Sequence, residues 1–85
     1  MTPNDAAAMG LAALAAALTD ERRAQRFLAL TGIGTDELRA CAGQPAFLAS
    51  FIAFLEAYEP DLVAVAGQSG LTPEQLVEAR LVLES

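Results

Sequence analysis

Apolar residues recur along the chain at spacings of three and four, and no stretch alternates apolar and polar with a period of two. That pattern predicts helices throughout. Thr2-Pro3-Asn4-Asp5 supplies an N-cap Thr, a Pro for the first helical position and an acid three residues after the cap. The helix that follows extends to about Leu18, with Leu11, Leu14 and Leu18 on one stripe and Ala in most other positions. Thr19-Asp20-Glu21 marks a break or kink and a new start, with acids where the helix macrodipole favours them. The pattern leaves open whether residues 1–18 and 20–31 form one kinked helix or two. The second segment presents the stem of Arg23, Phe27 and Leu30, flanked by Ala24 and Leu28. It closes at Thr31-Gly32, where Gly suits the left-handed position after a helix end.

A short third helix fits Thr35 to Ala42, capped by Thr35 and closed by Gly43. Pro45 opens the most apolar segment, about 45–58, in which Phe47, Phe51, Phe54 and Tyr58 form one row and Leu48, Ile52 and Leu55 the next. The remaining side carries Ala46, Ser50, Ala53 and Ala57, where another helix could approach closely. A helix apolar nearly all round belongs at the centre of a bundle. Pro60 interrupts the chain because it lacks an N–H and clashes with the preceding turn. A fifth helix covers roughly 61–68, with Leu62, Val65 and Ala66 inward. Thr72-Pro73-Glu74-Gln75 is a capping box, with Leu71 placed to staple onto Leu76, and it starts a last helix that turns Leu76, Ala79 and Leu83 inward. Gly32 to Leu38 aligns without gaps to Gly70 to Leu76, which reads as two ordinary helix starts rather than a duplication. The fold class expected is all-α: residues 1–85 form a single domain, a compact bundle of five or six short helices with mixed crossing angles around 45–58.

Composition narrows the chemistry. The chain is 54% apolar, includes 19 Ala, and sets 11 acids against five Arg for a net charge of −6. Such a charge argues against nucleic acid and anionic membranes, both of which are held by cations. With no His, no Lys and one Cys there is no imidazole base, no Schiff-base amine and no thiolate metal set. The expectation is therefore no enzyme, no cofactor, no metal and no membrane, in the cytoplasm of a bacterium. Glu56 and Glu59, one turn apart, read as a solvated helix end, and Cys41 as a small buried hydrophobe.

Arg22, Arg23 and Arg26 gather three of the five cations on one helix. Pairing with Asp20 and Glu21 explains them as surface charge, and recognition of an acidic partner or an anion explains them as a site. Arg26 is expected to bridge to Glu56 or Glu59 while its stem covers the edge of the core. Gly32-Ile33-Gly34 resembles a helix-hairpin-helix turn, whose backbone N–H groups hold phosphate, but Asp36 and Glu37 follow where the phosphate would sit.

The run Arg26-Phe27-Leu28-Ala29-Leu30-Thr31-Gly32, with Leu38-Arg39, Phe47-Leu48, Phe54-Leu55, Glu59-Pro60, Pro73-Glu74 and Ala79-Arg80, resembles the domain-of-unknown-function 3572 family of small, mainly alphaproteobacterial proteins. The likeness covers about residues 8–84. It implies a stand-alone cytoplasmic helical protein and supplies no activity. The function expected is a non-catalytic protein-interaction or adaptor module whose partner is another protein or a second copy in a homodimer. Arg22, Arg23, Arg26 and Glu59 are the candidate partner-binding residues. The alternative is a nucleic-acid accessory protein acting through Gly32-Ile33-Gly34.

Overall fold

A computed structural model describes residues 1–85 and contains six helices: α1 (Pro3–Leu18), α2 (Glu21–Thr31), α3 (Thr35–Cys41), α4 (Pro45–Glu56), α5 (Glu59–Gln68) and α6 (Pro73–Glu84). The protein is 80% helical and has no strands. All four prolines lie in the first turn of a helix, where an N–H has no intrahelical acceptor and its loss is free of cost. Thr2 with Asp5 and Thr72 with Gln75 form complete capping boxes, and Asp20 caps α2 by accepting from the Arg23 N–H. α1 and α2 are two separate helices. Gly32 and Gly70 both adopt left-handed backbone, φ 70° and 73°. The two aligned segments therefore fold alike, and each leads into a helix whose fourth residue, Leu38 or Leu76, is buried.

That correspondence places Gly34 opposite Thr72, as the N-cap of α3, and Thr35 is the first helical residue rather than the cap. Gly34 has no side chain to cap with, so α3 starts without the hydrogen bond that α6 enjoys. The central helix ends at Glu56 instead of 58, and Tyr58 takes extended backbone as the N-cap of α5, which begins at Glu59.

α4 packs chiefly on α6 and α1, and α1 also lies along α6. Leu48, Phe51, Ile52 and Leu55 of α4 are fully enclosed, together with Leu76 and Val65. The buried face of α1 is Ala6, Gly10, Ala13, Leu14 and Ala17, while Leu11 and Leu18 face outward. The stripe of large residues expected there is thus largely inverted. Small residues let the α1 backbone approach α4, whose Leu48 fills the space: a Cβ built on Gly10 would stand 3.2 Å from Leu48 Cβ. Gly10→Leu is accordingly expected to lower stability by about 1–3 kcal/mol through overpacking, despite Leu's better helix propensity. A urea midpoint equal to that of the wild type would show that α1 can move away.

Phe27, the buried residue of α2, meets Phe51 and Phe54 edge-on with centroids 5.1 Å away in each case, and Phe47 at 6.1 Å. This ring cluster anchors α2 to α4. Leu30, expected to share its stripe, is 69% exposed because it lies just off the Phe27 face at the end of the helix. Ala46, Ser50, Ala53 and Ala57 are exposed, so no helix of the chain uses that side of α4.

Candidate functional site

Capping and register place the arginines. Asp20 fixes the start of α2, and from there Arg23 falls one turn before Phe27, on the face turned toward the rest of the protein. Its side chain is only 13% exposed. Across from it, the first turn of α5 carries Asp61 on the same stripe as Leu62, Val65 and Ala66, all buried. Arg23 Nε donates to Asp61 Oδ1 at 3.1 Å, and Arg26 Nη2 pairs with Asp61 Oδ2. Arg23 Nη1 lies 3.9 Å from Asp20 Oδ2. The Arg26 guanidinium rests over two rings, 5.0 Å from the centroid of Tyr58 and 5.4 Å from that of Phe54. A cation over such faces is attracted by the ring quadrupole. The hydrogen bond from the Arg23 backbone, aided by the nearby Arg22 and Arg23 charges, holds the Asp20 carboxyl below its ordinary pKa.

These groups enclose an open cavity of about 340 Å³ lined by Asp20, Arg22, Arg23, Arg26, Tyr58 and Asp61. Both acids expected to meet Arg26 do something else. Glu56 binds Arg80 of α6 through both carboxylate oxygens, and Arg80 Nη1 also reaches Glu84 at 2.5 Å. That hydrogen-bonded pairing with Glu56 raises the Arg80 pKa. Glu59 is exposed and pairs with no cation, because the turn into α5 directs Asp61 rather than Glu59 at α2. The expected bridge is therefore corrected to Arg26–Asp61, while the expected covering of the core edge by Arg26 stands on its contacts with Phe54 and Tyr58.

A second concavity, about 350 Å³, runs between α1, α2 and α3. Leu14, Leu18, Ala24, Leu28, Leu38 and Ala42 line it, with Thr35 and Arg39 as its polar members. It exists because α3 reaches the core mainly through Leu38 and then turns away into α4 at a bend of 116°. Arg39 makes no ion pair. The Gly32-Ile33-Gly34 turn lies at one end of α3, with Gly32 left-handed, Gly34 extended and Asp36 and Glu37 exposed in the first helical turn. Cys41 ends α3 and is half-buried rather than enclosed. No three of the Cys and acidic side chains come together as a metal-binding group, and no single helix is long and apolar enough to cross a membrane.

The model of the family described as "Protein of unknown function (DUF3572)" matches residues 3–85 of the chain. No curated protein and no solved structure matches it.

Proposed function

Because the chain belongs to the DUF3572 family, whose description assigns no activity, we propose a function from its own surface: a non-catalytic interaction module that receives an amphipathic helix of a partner protein in the α1–α2–α3 groove. The supporting observation is that groove. It leaves Leu18 exposed and Leu28 partly exposed above the buried Leu14 and Leu38. Helix-in-groove recognition needs an apolar trough between helices, filled by residues at helical spacing from the partner. Arg39 stands at the edge of this trough with no acid of its own. A carboxylate flanking the partner's apolar stripe would meet it, which sets the orientation of the bound helix. A second copy is less suited: at net −6 each, two chains repel.

Nucleic acid is opposed by the same charge and by Asp36 and Glu37 beside the glycine turn. The test is affinity purification of the full chain from a native lysate, with bound proteins quantified for wild type, Leu18→Asp, Arg39→Glu and Leu81→Asp. Leu18 and Leu81 are both exposed, so the Asp variants are expected to stay folded, as circular dichroism would verify. A partner lost from the Leu18 and Arg39 variants and retained by the Leu81 variant is the expected result. Equal recovery by all four chains would overturn the groove. A gel shift with duplex or single-stranded DNA at low salt would overturn the protein-partner reading in favour of the turn.

A further inference from the structure

We propose that the cavity between α2 and α5 is a carboxylate-binding pocket, with Arg22 and Arg26 as the groups that grip the ligand and Asp61 as the residue that positions the arginines. The observation is an imbalance of charge and of donors. The pocket holds three of the chain's five arginines but two of its eleven acids, so it carries a residual +1 in a protein of net −6. Three guanidiniums bring about fifteen N–H donors, against roughly eight acceptor sites on two carboxylates. One of those acceptors, Asp20 Oδ1, is already used by the Arg23 backbone.

The donors are also preset. Asp61 is 7% exposed and takes one guanidinium on each oxygen, which fixes Arg23 and Arg26 relative to each other. Arg23 Nη1 is buried without a hydrogen-bond partner, so Arg23 is the inner wall, and Asp61 Oδ2, buried likewise without a hydrogen bond, meets only the charge of Arg26. Arg26 lies over Tyr58 and Phe54, with its side chain 41% exposed and part of its fork available. Arg22 is exposed and makes no ion pair. A guanidinium fork matches a planar carboxylate in geometry. Charge works in the same direction: one carboxylate neutralises a residual +1, whereas the dianionic form of phosphate would overshoot it inside an acidic protein. The half-exposed Tyr58 ring forms an apolar wall for whatever carries the carboxylate.

The carboxylate could belong to a free organic acid or to an acidic residue of a protein. Arginine side-chain Nε–Hε signals of the ¹⁵N-labelled full chain would be followed by NMR at constant ionic strength during titration with sodium acetate, N-acetylglutamate α-amide or inorganic phosphate. Saturable shifts of the Arg22 and Arg26 signals with both carboxylates are expected, while the Arg39 signal moves only as with sodium chloride. Arg22→Gln should weaken binding at least five-fold with no change in melting temperature, since its side chain makes no ion pair in the fold. Equal affinity for acetate and the glutamate amide assigns the site to free acids, and affinity at least ten-fold higher for the amide assigns it to protein side chains. Shifts that never saturate, or an Arg22→Gln chain that binds as tightly as wild type, would overturn the pocket. Tighter binding of phosphate than of either carboxylate would overturn the ligand class.

Discussion

Phe51→Ala is expected to remove about 3–5 kcal/mol of stability, the usual range for truncating an enclosed Phe. Phe51 is 1% exposed, meets Phe27 edge-on at 5.1 Å and stacks with Phe54 at 6.4 Å. Aromatic pairs of this geometry add about 0.5–1.5 kcal/mol beyond the area they bury. The ring therefore contributes twice, by filling the centre of α4 and by joining α2 to it. A domain of this size has on the order of 5–10 kcal/mol in total, so the variant should be partly unfolded at moderate temperature. Chemical denaturation monitored by circular dichroism measures this, with Tyr58→Ala as the comparison, because Tyr58 is half-exposed and outside the enclosed core. A Phe51 variant that unfolds at the wild-type midpoint would mean that the ring cluster does not hold α2.

Most helix ends are readable from the sequence because capping is local, the start of α3 at Gly34 and the break at Tyr58 being the exceptions. Thr2, Gly32, Pro45 and Thr72 each act within a few residues of their own backbone, and each stands where it was expected. Central burial of α4 was readable too, since a segment apolar on every side has nowhere else to go. The buried face of α1 was not. Ranking faces by side-chain size selects Leu11, Leu14 and Leu18, but the close crossing with α4 selects small residues, and crossing distance is a property of two helices rather than one. The same holds for the groove, which arises from where α3 turns.

Asp61 is legible in the sequence as well. It sits four residues before Val65 and one before Leu62, on the inward stripe of α5, and a charge on an apolar stripe signals a buried partner. Read as a first-turn acid it looks like ordinary helix chemistry, and Glu59 and Glu56 then seem the natural mates for Arg26. The structure separates these roles by register, since two residues along a helix rotate a side chain through about 200° at 3.6 residues per turn.

That assignment leads to the other large effect. Asp61→Ala is expected to cost about 3–5 kcal/mol, because removing one member of a buried pair leaves the opposite charge with only the 3.9 Å approach of the more exposed Asp20. Arg26 can turn outward, its side chain being 41% exposed, but Arg23 is 13% exposed and has no such route. The penalty therefore falls on Arg23, and it should vanish when that charge is removed as well. The double variant Asp61→Leu, Arg23→Met is expected to return to within about 1 kcal/mol of wild type, since apolar replacement of an entire buried pair is often neutral. Glu59→Ala, which breaks no pair, should change stability by less than about 0.5 kcal/mol. Guanidinium unfolding of the four chains decides the matter. If the Asp61 variant is no less stable than the Glu59 variant, the ion pair does not hold α5 to α2. If the double variant is as unstable as Asp61→Ala, the loss comes from packing at the start of α5 and not from a stranded arginine.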